Sequence, residues 1–171
     1  MIGLMSKDVI LSALVIIAAA SFISGQTPTP RTPLPSATNT RLELKVTAVD
    51  GSEIDLSKLR GKVVLLDFWA TRCPPCVEEM PKILAIYNKF HEKGLEIIGI
   101  STDESKEIVI RFVKGRGIRW PQYLDVNREI SNRWQITGLP RMWLVDKKGL
   151  LVNMDARDDL QGNVEKLLAQ E

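Results

Sequence analysis

Cys73 and Cys76 are the only two cysteines in the chain, and they stand at C-x-x-C spacing. An apolar run from Val63 to Phe68 leads through Trp69-Ala70-Thr71-Arg72 into the pair, and a helical pattern begins directly behind it. At that spacing two thiols at the mouth of a helix can close into a small disulfide ring and reopen. Backbone N–H groups and the positive end of the helix dipole stabilise a thiolate there. The chemistry available is two-electron thiol–disulfide exchange. A zinc site would need about four ligands, and His91 is the only other soft ligand in the chain. A purely structural staple is poorly served by so short a ring, because a cross-link restrains the unfolded chain more when it closes a long loop.

Roles follow from position. Cys73 lies nearest the helix start and should be the more exposed sulfur, so it is the attacking thiol. Cys76 resolves the mixed disulfide from within. To do so Cys76 must lose a proton. Asp67 on the preceding strand and Glu79 one turn along the helix are candidate bases, since a buried carboxylate of raised pKa suits that transfer. Trp69 is read as a lid beside the pair, with a place in the core as the competing reading. Trp120, Trp134 and Trp143 are assigned to packing, and His91 to a helix surface.

Those residues need a scaffold. The chain has 171 residues, 44% of them hydrophobic, which suits one domain with an ordinary core plus appendages. A net charge of +2, with no basic run interleaved with aromatics, gives no footing for a nucleic-acid partner. The first 25 residues stand apart: Lys7 precedes fifteen uncharged residues, Val9 to Ile23. That length makes a signal-peptide core or a short membrane span, since spanning takes about 17–25 residues. Export is expected, by a cleaved signal peptide or a retained anchor over residues 8–25. Residues 26–40 carry four prolines and five threonines and read as an extended, solvated linker. At about 3.1 Å per residue such a linker could hold a domain roughly 45 Å from its anchor, which favours retention in the membrane.

From Arg41 to residue 171 the pattern is that of an α/β domain. Leu42, Leu44 and Val46 alternate, Asp50-Gly51 marks a turn, and Ile54 and Leu56 follow, so a short hairpin is predicted. Val63 to Phe68 is a strand covered on both faces. The helix behind the cysteines carries Met80, Ile83, Leu84, Ile86, Tyr87 and Phe90 on one side and stops at Gly94, with Pro81 expected to interrupt and kink it. Leu95 to Ser101 is a second buried strand, parallel to the first. A helix over Ser105 to Lys114 has Ile108, Ile110, Phe112 and Val113 as its apolar positions. A loop through Trp120-Pro121 leads to a short helix near Arg128 to Trp134. Then come Gly138-Leu139-Pro140, a hairpin around Asp146-Lys147-Lys148-Gly149, and a last helix from Asp159 to Ala169.

Several segments add up to more than a lone C-x-x-C: Asp50-Gly51, Leu59-Arg60-Gly61-Lys62-Val63-Val64-Leu65, Phe68-Trp69-Ala70-Thr71, Cys73-Pro74-Pro75-Cys76-Val77-Glu78-Glu79-Met80-Pro81 and Gly138-Leu139-Pro140. Over about Leu42 to Ala169 the domain resembles the TlpA/ResA-type thioredoxin-like proteins, membrane-tethered thiol–disulfide oxidoreductases on the extracytoplasmic side of bacterial membranes. The resemblance implies a thioredoxin-like fold, a central mixed sheet flanked by helices, with an N-terminal β-hairpin extension. It implies that Pro140 is a cis-proline beside the disulfide and that the backbone of Leu139 pairs with an extended substrate strand. It places Pro74 and Pro75 with Trp69 and Arg72 on the substrate-facing rim, and it matches Glu79 to a family acidic position. No cofactor or metal is implied. The implied partners are protein thiols and disulfides, with a membrane thiol-electron carrier as donor. The implied work is reduction of protein disulfides, as in cytochrome c maturation, in the periplasm or on the outer face of the cytoplasmic membrane.

Two positions depart from the family habit. Arg72 stands where Trp commonly precedes the first cysteine, and its guanidinium should favour the Cys73 thiolate. Asp67 stands where many TlpA-like relatives carry Asn. Rival readings are a thiol peroxidase and a non-catalytic binding or chaperone module of the same fold. The peroxidase needs Thr or Ser three residues before its cysteine and Pro four before that, where this chain has Ala70 and Leu66. Two intact cysteines speak against the binding module.

Overall fold

The structure is a computed structural model that describes residues 38–170. The N-terminal apolar run, and the linker up to residue 37, lie outside the described residues. In chain order the elements are β1 (Thr40–Arg41), β2 (Lys45–Thr47), β3 (Glu53–Asp55), β4 (Val63–Trp69), α1 (Pro74–Phe90), β5 (Leu95–Ser101), α2 (Lys106–Gly115), β6 (Gln122–Leu124), α3 (Glu129–Arg133), β7 (Arg141–Val145), β8 (Leu150–Asn153) and α4 (Leu160–Leu168).

All seven residues of β4 are buried, as a continuous apolar run in the middle of a sheet requires. The main sheet runs β1-β8-β7-β4-β5-β6. β4 pairs parallel with β5 and antiparallel with β7, so the sheet is mixed. Alternation along β4 divides its side chains between two cores. Val63, Leu65 and Trp69 face α1 and α4, packing with Met80, Ile83, Ile86, Phe90, Leu160 and Val164. Val64, Leu66 and Phe68 face the other layer, with Leu42, Leu44, Ile54, Ile130, Trp134 and Trp143. The separate hairpin of β2 and β3 pairs Val46 with Ile54, the register that the alternation predicts.

α1 starts on Pro74 and Pro75, where a missing N–H costs nothing because first-turn donors have no helical partner. It closes through a short 3-10 turn onto Gly94, whose φ of 107° suits glycine. Pro81 does not interrupt it. The ring removes one helical hydrogen bond, but Met80 and Ile83 on either side are buried at 3% and 1% exposure, and packing carries the helix through.

Three further expectations change. The buried position of α2 is Val109, with Phe112 and Val113 half-buried, while Ile108 and Ile110 are 39% and 38% exposed. Positions i, i+3 and i+4 share a helix face, and Val109 rather than Ile108 begins that set. The stretch after Pro121 is a parallel edge strand, β6, pairing Gly99 with Gln122, and not a loop. β1 begins at Thr40, the last residue assigned to the linker, and joins the sheet through β8.

Candidate active site at the Cys73–Cys76 pair

β4 ends at Trp69, and Ala70-Thr71-Arg72 turns the chain into α1. Cys73 is the N-cap of α1, and its sulfur accepts a hydrogen bond from the Cys76 N–H at 3.3 Å. The two sulfurs are bonded, with 5.3 Å between the Cα atoms. Cys73 is half-buried, Cys76 is only 2% exposed, and Pro74 and Pro75 between them are exposed. A nucleophile from solution therefore meets Cys73 first. β7 runs antiparallel to β4 and starts with Arg141 opposite Phe68, which brings Leu139 and Pro140 to the same end of the sheet as the cysteines. The Leu139–Pro140 bond is cis, Pro140 is buried, and Leu139 is half-buried against both cores.

Asp67 is 1% exposed, and neither carboxylate oxygen has a hydrogen-bond partner among the described residues. It lies between Leu65 and Trp69 in the alternation, on the face of β4 that α1 covers. Burial, and secondarily the negative charge of Glu79, raise its pKa from 3.8 to about 7. Glu79 is not a free carboxylate. Its Oε1 accepts from Arg157 Nε at 3.1 Å and Nη2 at 2.9 Å, with the Glu79 side chain 23% exposed. Arg157 lies 78 residues away in the chain, just before α4, and nothing local in the sequence points to the pair.

Trp69 is not a lid. It is wholly buried, its indole N–H donates to Gln122 Oε1 at 3.0 Å, and its ring lies 5.0 Å from that of Phe112. It shares a parity with Leu65 and Asp67, so the strand turns it into the core beneath α1 and α2. Gln122 is held at its other end by Nε2–H to the Trp120 carbonyl. Trp120, Trp134 and Trp143 are buried packing residues, as expected.

The Arg72 guanidinium is drawn to Asp103, with Nη1 3.7 Å from Oδ1. Its charge is thus shared with a carboxylate instead of resting on Cys73 alone. Asp103, just past the end of β5, also accepts from the Thr71 N–H at 3.0 and 3.1 Å, from Thr71 Oγ1 at 2.7 Å and from Ser101 Oγ at 2.7 Å. The polar run Ser101-Thr102-Asp103 at the end of a buried strand was the sequence signal for this cluster. Its partners were not readable.

Comparison with known proteins agrees with this geometry. Residues 37–154 match the AhpC/TSA family. The thiol-disulfide oxidoreductase ResA of Bacillus thuringiensis strain Al Hakam is 36% identical over 126 residues, 71% of this chain and 73% of that protein. ResA of Bacillus subtilis strain 168 is 36% identical over 105 residues, 61% of this chain and 59% of that one. Among solved structures, the thioredoxin domain of a thiol-disulfide oxidoreductase from Bacteroides vulgatus superposes with a TM-score of 0.70 at 34% identity, covering 77% of this chain and 98% of that one. A thiol:disulfide interchange protein from Bacteroides sp. gives 0.69 at 33% identity, covering 78% and 91%. A thioredoxin-like sheet, a bonded cysteine pair at the start of α1 and these likenesses lead to one assignment: the chain belongs to the AhpC/TSA family and, within it, to the thioredoxin-like thiol–disulfide oxidoreductases of the ResA type.

Proposed function

We propose that this enzyme reduces disulfides of exported proteins through the Cys73–Cys76 couple, outside the cytoplasm, with residues 1–25 directing export or anchoring it. The observation that carries the proposal is the unequal exposure of the two sulfurs, together with a buried Asp67 that has no hydrogen-bond partner among the described residues and lies between Leu65 and Trp69, which pack in the same core as Cys76. In the reduced protein the Cys73 thiolate attacks one sulfur of the substrate disulfide, and the other sulfur leaves as a thiolate. Cys76 then gives its proton to Asp67 and attacks Cys73 in the mixed disulfide. The substrate departs as a dithiol, and the enzyme is left oxidised at the ring. Glu79, tied to Arg157, acts through its charge on Asp67 more than as a proton acceptor. Pro74, Pro75 and the backbone of Leu139 beside Pro140 receive the substrate strand. Electrons return from a membrane thiol carrier, since the chain contains no second cysteine pair. Apocytochrome c awaiting haem attachment is the substrate class that fits a ResA-type protein.

The test is a trapping experiment. Cys76→Ser should accumulate mixed disulfides with exported partners, among them cytochrome c precursors, and Cys73→Ser should accumulate none. Trapping by Cys73→Ser alone would reverse the roles. Peroxide consumed faster than protein disulfide by the wild type would replace the reductase reading with a thiol peroxidase.

A further inference from the structure

We propose that Asp103 is a positioning residue for this exchange: its buried carboxylate fixes the loop that presents Cys73 and captures the Arg72 guanidinium, keeping that charge off the Cys73 sulfur. The proposal rests on Cys73 being the attacking thiol, as read above.

The Asp103 side chain is 3% exposed. Its hydrogen bonds come from Thr71 N–H, Thr71 Oγ1 and Ser101 Oγ, all neutral donors, so they orient the carboxylate without cancelling its charge. A buried carboxylate is costly without a counter-charge. Arg72 supplies one, and among the described residues it is the cation within ion-pair distance of Asp103. At 3.7 Å the contact is longer than a hydrogen bond, so charge attraction and not a locked fork holds the guanidinium. The Arg72 side chain remains 54% exposed and free to be redirected once the attraction is removed. Thr71 is clamped through both its N–H and its hydroxyl, and the Cys73 N–H donates to the Ala70 carbonyl at 3.1 Å. The three-residue turn is therefore fastened at Thr71, and Arg72 leaves it on the side of Asp103, one residue before the nucleophile.

A double-mutant cycle on the full chain tests this. Cys76→Ser is carried in every protein so that Cys73 is the sole thiol, and its thiolate is followed by ultraviolet absorbance against pH. Asp103→Asn can keep an acceptor for Thr71 and offer a donor to Ser101 Oγ while removing the charge. It should raise the thiolate-to-thiol ratio about three- to tenfold at a given pH, because Arg72 is released toward the sulfur. Arg72→Gln alone should change the ratio less than about twofold, and Asp103→Asn with Arg72→Gln should stay within about twofold of Arg72→Gln. The remaining ionisable groups of the site, Asp67, Glu79 and Arg157, are the same throughout and cancel in the cycle. Loss of the carboxylate's own repulsion, or simple loosening of the loop, would act equally with and without Arg72. An additive cycle therefore overturns the proposal. Should Asp103→Asn not fold, a tenfold fall in the ratio for Arg72→Gln alone overturns it as well. The titration needs no substrate, so it stays readable if the wild type proves unable to reduce protein disulfides.

Discussion

Asp67 is the residue whose chemistry is most exposed to test. Its folded pKa of about 7 stands above the unfolded value of 3.8. Between those values the native protein keeps a proton that the unfolded chain has lost. Its contribution to stability is therefore complete below the unfolded value and disappears as pH rises through the folded one. Asp67→Asn removes that slope. The variant should match the wild type near pH 4 and exceed it at pH 8 by on the order of 2–4 kcal/mol, read from urea unfolding of the oxidised protein. The same substitution should slow release of a preformed mixed disulfide about tenfold or more at neutral pH and leave the first attack by Cys73 nearly unchanged. A more stable protein that turns over more slowly is the signature. Equal single-turnover release rates would remove the proton-acceptor role.

At the level of elements, the central strands and the helix behind the cysteines were legible because each carries an unbroken local signal. β4 is a run of seven buried residues, and α1 has a stripe of apolar positions ending on a glycine. What escaped depended on partners remote in sequence. β6 has three residues led by a glutamine, too few to show a period, and it is a strand because β5 lies alongside it. Trp69 looked like a lid while Gln122, 53 residues on, was out of view. Separations of 78 and 32 residues likewise hid Arg157 from Glu79 and Asp103 from Thr71. Gly99 tests how closely β5 and β6 are fitted: a Cβ there would lie 2.0 Å from Gln122 Oε1. Gln122 is only 3% exposed and is tied to both Trp69 and Trp120, so it cannot swing aside. Gly99→Ala should cost about 1–3 kcal/mol of stability, and shortening Gln122 to Ala in the same protein should recover part of it. A Gly99→Ala midpoint equal to the wild type would mean the Gln122 clamp is loose.

For the whole molecule the proposed place of work rests on reading the N-terminal 25 residues as a signal peptide or an anchor. The full chain, produced in a bacterial host, should sediment with membranes and be labelled by a thiol reagent that cannot cross the inner membrane. A chain beginning at Gln26 should stay in the cytoplasm and escape the label. Recovery of the full-length product as soluble periplasmic protein would assign residues 1–25 to a cleaved signal peptide. Recovery from the cytoplasm would end the extracytoplasmic reading.

The sulfur atoms are distributed in a way that bears on chemical wear. Among the described residues Met80, Met142 and Cys76 are buried, and Cys73 and Met154 are half-buried. An oxidant diffusing in from solvent finds Cys73 before Cys76. If it converts Cys73 to a sulfenic acid, the Cys76 thiol is already at bonding distance. Condensation of the two expels water and closes the ring before the irreversible sulfinic stage is reached. Damage and turnover thus end in the same product, and a burst of peroxide would change how much of the protein is oxidised without changing what it is oxidised to.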